Sequence, residues 1–270
     1  MLPPTFIRRR RRQGLTLIEL VLVVAVLAIL AGFIVPRLGF IRNLAGDSGN
    51  ATIISDAVQQ SVLYNTAEGH YPTGEDTLLN SAGTGLDAYL NGTLTKVLTT
   101  VTLDTGAYSS LTGQFGTTTV NLYNQSDVAT TTPNLDDNTI TTLASTSVLA
   151  EVNTATTQGE NVYRAAYESA ELTVDSTGTL GTPNDGTYLV ALGYGTNSQI
   201  NGRTGLEPPV LFDKTPGQYT RPILLLKVYG SASTSPTVPP GSSAATSIAI
   251  GYDGSTVTSS LTKYAVDQNR

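Results

Sequence analysis

Two neighbouring features near the N-terminus have the residue types for chemistry. Glu19 is the lone ionisable group in an apolar run over 15–35, which follows Arg8-Arg9-Arg10-Arg11-Arg12-Gln13-Gly14. A carboxylate in the middle of a membrane-length helix costs roughly 2.5–3.5 kcal/mol on insertion scales, so it calls for a partner or a task. Cutting the peptide bond between Gly14 and Leu15 supplies a partner. The new α-amine of Leu15 lies one helical turn from Glu19, and helices stacked with a small axial offset pair the amine of one with the carboxylate of the next. Elsewhere reactive groups are scarce. His70 is the only histidine and there is no cysteine. A Ser-His-Asp triad would therefore depend on a residue at a helix exit, and His/Cys zinc sites cannot be assembled. Oxygen ligands for Ca²⁺ are available at Asp136, Asp137, Asp185 and Asp253. The same Asp-Gly and Asn-Asp-Gly pairs are ordinary turn formers.

The element that positions Glu19 is a helix. At about 1.5 Å per residue, the 15–35 run matches the ~30 Å hydrocarbon thickness of a bilayer. Five arginines before it hold that end in the cytoplasm under the positive-inside rule, leaving the C-terminal body outside. An ordinary secretory signal has a shorter apolar region followed by a small-residue cleavage site. Here the run is longer and carries a glutamate. A twin-arginine signal fits poorly after the arginines. A plain single-pass anchor leaves Gly14 and Glu19 without a role.

The arginine-rich leader, Gly14, Leu15-Thr16-Leu17-Ile18-Glu19-Leu20 and the apolar helix together resemble the N-terminal signal of type IV pilins and type II secretion pseudopilins. The resemblance covers about the first 40 residues. It implies that a prepilin peptidase at the inner membrane cuts after Gly14 and methylates the amine of Leu15, and that Glu19 guides assembly. Pro36 falls where many pilins have a helix-kinking proline. Leu15 departs from the family's usual phenylalanine. The segment Gly69-His70-Tyr71-Pro72-Thr73 after the helix is similar to a Gly-x-Tyr-Pro-Thr stretch of major pseudopilins, some of which bind Ca²⁺ in their C-terminal region. The absence of cysteine is a further departure, since many pilins have a disulfide.

Composition bounds the remainder. The 270 residues leave enough chain beyond the helix, roughly 200 residues, for a body with its own core. Only 13% of residues are charged and 26 are glycine, a balance of extracellular β-rich proteins. The formal charge is −6, and removal of the five leader arginines leaves ten basic against 21 acidic side chains, a formal −11. An acidic body lacks the basic stripe that nucleic acid requires, so no nucleic-acid partner is expected.

The expected organisation is a cytoplasmic leader over 1–14, an N-terminal helix over 15–68 with 15–35 transmembrane, and a β-rich periplasmic or extracellular body over 69–270. Pro36 should loosen or kink the helix, and Gly46-Asp47-Ser48-Gly49-Asn50 should interrupt it. Ile54, Val58 and Val62 form an i, i+4 stripe that should pack on a sheet. Strands are expected over 97–103, 117–123, 187–192, 223–229 and 247–252. The last two should be joined as a long-looped hairpin through the Gly/Ser/Thr/Pro stretch 230–245. Residues 161–172 read equally as helix or strand.

The fold class expected is α+β and pilin-like, a long helix packed on an antiparallel β-rich domain. The function expected is that of a structural subunit of a type IV pilus-like or pseudopilus filament, with no enzyme activity. It would self-associate into a helical filament and meet prepilin peptidase, the inner-membrane assembly machinery and membrane lipid. Its location would be the inner membrane, as a single pass with the N-terminus cytoplasmic, then a periplasmic pseudopilus or cell-surface filament. Alternatives from other classes are a surface adhesin or glycan-binding module on a pilin-type anchor, and a membrane-tethered enzyme. Ca²⁺ is the one cofactor considered.

Overall fold

The computed structural model of the protein describes residues 17–125, 138–166, 172–174, 180–183, 187–203, 209–211, 218–230, 248–251 and 253–257; the side chains of 31–44 are not among those described. The chain divides into two compact units, Met1–Ala45 and Gly46–Arg270.

Helix α1 (Leu17–Glu68) runs unbroken through Pro36 and through 46–50. The expected interruption at Gly46-Asp47-Ser48-Gly49-Asn50 does not occur, because tertiary burial overrides local propensity. Each glycine costs about 1 kcal/mol relative to alanine in a helix. Full burial of Ile54, worth about 1.5–3 kcal/mol, offsets both. Asn50 and Ala51 are buried beside it, and the Thr52 hydroxyl donates to the Ser48 carbonyl at 3.2 Å.

The buried face of α1 reads Asn50, Ile54, Ala57, Ser61 and Tyr64, not the expected Ile54, Val58, Val62. A step of four residues advances about 40° beyond a full turn. The i, i+4 stripe therefore drifts outward, from Ile54 in the core to Val62 at 47% exposure. Glu68 closes the helix. Gly69 follows with φ of +79° and donates its N–H to the Asn65 carbonyl at 2.8 Å, the left-handed exit that glycine adopts without strain.

The body is built on a five-stranded antiparallel sheet of β1 (Leu98–Thr102), β4 (Val148–Val152), β7 (Thr187–Gly193), β8 (Ile223–Tyr229) and β9 (Ile248–Ile250), in the order β1-β4-β7-β8-β9. Two antiparallel pairs accompany it, β2 (Asn121–Gln125) with β3 (Asn138–Thr142) and β5 (Leu172–Val174) with β6 (Leu180–Pro183). Helices α2 (Leu94–Val97), α3 (Thr105–Gln114) and α4 (Thr157–Ala166) complete the elements. The segments 97–103, 187–192, 223–229 and 247–252 coincide with β1, β7, β8 and β9. β8 and β9 pair antiparallel with Leu224 opposite Ala249. The 117–123 segment becomes a strand only from Asn121, and the ambiguous 161–172 stretch is helix α4 up to Ala166 and strand from Leu172.

Side chains alternate across the sheet with the period of two that strands impose. On one face Ile223, Leu225, Ala191 and Ala150 pack with Leu94 and Val97 of α2 and Val162 and Tyr163 of α4. On the other, Leu226, Val228, Val190 and Leu192 meet Ala107 and Leu111 of α3 with Leu122 of β2. Leu224 and Ala249 on that same face hold Ile54, Ala57 and Tyr64 of α1. The sheet is thus covered on both sides, which is why β8 is buried at six of its seven positions.

Candidate assembly helix and buried acidic clamp

The first unit presents an unusual surface. All side chains from Leu17 to Leu30 are exposed in the single chain, and all but Glu19 are apolar, with Leu17 at 81% and Ile18 at 73%. A helix apolar on every side is a buried element in its working state, in a bundle core or in lipid. Glu19 lies in the first turn of α1, where the unsatisfied N–H groups and the helix dipole favour a carboxylate. Gly14 and Leu15 lie outside the described residues, and Pro36 lies within α1 at a position whose side chain is not described. Among the described residues no helix is long and apolar enough to cross a membrane.

In the second unit the last turns of α1 are fixed to the body by polar contacts around the Ile54 and Tyr64 core. The Tyr64 hydroxyl donates to Gln199 Oε1 at 2.9 Å, and the Tyr194 hydroxyl donates to Gln60 Oε1 at 2.9 Å. Arg203 pairs with Glu68 and stacks over the Tyr64 ring at 5.9 Å. His70 packs edge-on to Tyr64 with centroids 5.7 Å apart, and its Nδ1 donates to the Tyr71 carbonyl. The sole histidine therefore has a packing role here.

Beyond this exit the chain buries two adjacent carboxyl groups, Glu75 at 1% and Asp76 at 0% exposure. They lie on a short bridge between two strand systems. Asp76 exchanges backbone hydrogen bonds with Gly193 at the end of β7, while the Tyr123 N–H donates to the Glu75 carbonyl. Asp76 Oδ2 accepts from the Tyr219 hydroxyl at 2.9 Å and faces the Arg221 guanidinium, with Nη1 at 3.6 Å, an ion pair beyond hydrogen-bond distance. Glu75 Oε1 accepts from the Ser198 hydroxyl at 2.6 Å.

Burial pushes the Glu75 carboxyl well above the usual carboxylate range, and the neighbouring Asp76 charge adds to this against the Ser198 hydrogen bond. Burial and then the Asp76 charge likewise raise Tyr219, so it stays a donor. Glycine is required around the pair. A Cβ on Gly193 would lie 1.9 Å from the Tyr219 hydroxyl oxygen, and one on Gly195 would lie 2.4 Å from Asp76 Oδ1.

None of this clamp was anticipated from the sequence. Glu75 and Asp76 follow Gly74 in a polar stretch with no apolar pattern to mark them as buried. The available signals were indirect: the closely spaced Gly193 and Gly195, and Arg221-Pro222 before the apolar strand β8.

Of the expected Ca²⁺ ligands, Asp136, Asp137 and Asp185 lie outside the described residues. Asp253 closes a turn, its Oδ1 accepting from the Ser255 N–H at 3.0 Å and from the Ser255 hydroxyl at 2.5 Å. Among the described residues no group of three or more metal-ligating side chains occurs. A cavity of about 240 Å³ opens beside β2, β3 and β4, lined by Asn124, Thr141, Thr146 and Ser147 over Leu122, Leu143 and Leu149. Among the described residues its lining includes no ionisable and no aromatic side chain.

Residues 9–35 match the family model described as the prokaryotic N-terminal methylation motif. The type IV wide pilus major component PilA4 of Thermus thermophilus is 34% identical over 71 residues, 26% of this chain and 54% of that protein. The chain thus spans about half the length of the curated relative it matches. No solved structure matches it. The methylation motif coincides with the arginine leader, Gly14, Glu19 and the exposed apolar start of α1, and over 71 residues the chain is similar to a type IV pilus component.

Proposed function

We propose that the protein is a structural subunit of a type IV pilus-like or pseudopilus filament, made as a precursor and cut after Gly14. The observation that carries the reading is the match of 9–35 to the methylation motif. In this reading 15–35 crosses the inner membrane before assembly, with the arginines cytoplasmic and the body outside. Extracted subunits then bundle their apolar helices in the filament core. Burial of Leu20, Val24 and their neighbours drives association, at about 25 cal/mol per Å² of apolar surface removed from water or exchanged for packed contacts. Glu19 neutralises the Leu15 amine of an adjacent subunit. The role is structural, with no catalytic group assigned.

Within this class, a pseudopilus is favoured by one local feature. Tyr71 of the Gly69-His70-Tyr71-Pro72-Thr73 segment is 4% exposed, donates its N–H to the Gln114 carbonyl at 2.8 Å and joins the α3 core. The segment thus turns the chain from α1 onto the sheet as a packed junction rather than a loose loop.

Processing is tested by N-terminal mass spectrometry of protein from the native host. The expected mature chain begins at Leu15 with a methylated amine. A bulky replacement of Gly14 should leave only precursor, because the peptidase site has to accept a backbone without a side chain. A mature start near Gly32 would mean an ordinary signal peptidase and would overturn the reading.

A further inference from the structure

Between α1 and the segment after it lies a cavity of about 10 Å³, lined by Ser61, Tyr71, Pro72, Glu75, Phe115, Leu192, Leu224 and Leu226. Ser61 of α1, Tyr71 and Glu75 are its buried hydrogen-bonding side chains, at 0%, 4% and 1% exposure. Ser61 Oγ and Glu75 Oε2 have no hydrogen-bond partner among the described protein atoms. A buried hydroxyl or carboxyl oxygen left unsatisfied costs about 1–3 kcal/mol. Two such atoms on one cavity, from two elements, point to a common partner. A water needs about 10–15 Å³ of this kind of space and two or more polar contacts; the cavity reaches the lower limit of volume, and the two unsatisfied oxygens on its lining residues are the contacts on offer. The remaining lining is carbon-rich, which excludes a hydrated ion.

We propose that this cavity is an internal water site bridging Ser61 of α1 to Glu75 of the body, and that the Glu75 proton controls how firmly α1 is held. With the proton in place, the carboxyl donates through Oε2 to the water, the water serves the Ser61 hydroxyl, and the carboxyl accepts from the Ser198 hydroxyl and the Gly195 backbone N–H. Each of these hydrogen bonds then joins neutral groups. Loss of the proton puts a charge in the cavity wall beside Asp76. The titratable and charged groups around Glu75 are Asp76 next to it, Tyr71 on the cavity, Tyr194 beyond β7, and Tyr219 and Arg221 before β8. Arg221 is turned to Asp76, and α1 contributes only the uncharged Ser61 at this wall.

The sign of the effect follows from linkage. The folded carboxyl keeps its proton above the ordinary glutamate range, whereas opening of α1 admits water and returns it to about 4.3. Opening therefore releases a proton, and the hold on α1 is complete at low pH and weakens as pH rises from that value through the raised one.

The test uses the full chain in detergent micelles and hydrogen exchange of the α1 amides over 57–66, corrected for intrinsic exchange. Protection in the wild type should fall with pH, by at most about tenfold per pH unit for one proton. Glu75→Gln keeps the shape and the hydrogen-bonding reach, and should show a flat profile. Equal slopes for the wild type and Glu75→Gln would overturn the proton control. The water is tested separately by infrared spectroscopy. The protonated-carboxyl absorption of the wild type should contain a Glu75 component that is lost in Glu75→Gln, leaving that of Glu151, and that shifts to higher frequency in Ser61→Ala, where the water has lost its second partner. A band unmoved by Ser61→Ala would overturn the bridge.

Discussion

Arg221→Met should lower the stability of the body by about 3–5 kcal/mol, the usual cost of removing one side of a buried ion pair. Asp76 is fully buried and Arg221 is 5% exposed, so solvent cannot take over the guanidinium's role. The Tyr219 hydroxyl still reaches Asp76 Oδ2, but a neutral donor replaces only part of what a facing cation supplies. Relaxation is restricted from the other side by Gly195, whose backbone lies so close that a Cβ there would be within 2.4 Å of Asp76 Oδ1. The double replacement Asp76→Asn with Arg221→Met should recover much of the loss, since it removes the charge together with its counter-charge. Denaturant unfolding followed by circular dichroism reads the effect as a shift in midpoint at constant slope. A midpoint for Arg221→Met equal to that of the wild type would show that the pair contributes nothing.

The pH profile of the same unfolding carries a second signature. Burial raises Glu151 on β4 to about 7, and Glu75 is raised as well. Both groups hold protons in the folded state at pH values where the unfolded chain has released them. Stability is therefore greatest toward the acid end, and declines as pH rises from the ordinary glutamate value through about 7 for Glu151.

Glu19→Val should leave processing and membrane insertion intact and reduce filament yield by about a hundredfold or more. Valine removes an unfavourable carboxylate from the apolar helix, so insertion becomes easier. In the proposed filament, however, the Leu15 amine of a neighbouring subunit loses its counter-charge inside an apolar core. Breaking one side of such a pair costs about 3–5 kcal/mol, and each 1.4 kcal/mol is tenfold in an equilibrium. Loss at every subunit contact compounds along the filament. The sheared filament fraction, compared with total membrane subunit by immunoblot, measures the outcome. Normal filament yield from Glu19→Val would show that assembly does not use this pairing.

The N-terminal methylation motif is legible in the sequence because it is linear. Arginine leader, Gly14 and Glu19 lie within twelve or so residues and are matched as a string, with no need for the body to fold. The strands β7, β8 and β9 are equally legible, since runs such as 223–229 are aliphatic, β-branched or aromatic but for Lys227 and suit a sheet buried on both faces. Helix α3 was not anticipated. Its sequence Thr-Gly-Ala-Tyr-Ser-Ser-Leu-Thr-Gly-Gln is weak in helix formers, and it is held by the Asp104 carboxylate accepting from the Ala107 N–H at 2.7 Å and by burial of Ala107 and Leu111. The continuity of α1 through 46–50 has the same cause, a core supplied by β8 and β9 against Ile54.

The buried clamp is the furthest from sequence-level reading. Glu75 and Asp76 receive their partners Ser198 and Tyr219 from 123 and 143 residues away. Local sequence assigns two adjacent acids to solvent because a lone buried charge is prohibitively unfavourable. Only the tertiary fold, by bringing Ser198, Tyr219 and Arg221 to one point against two glycines, makes their burial stable.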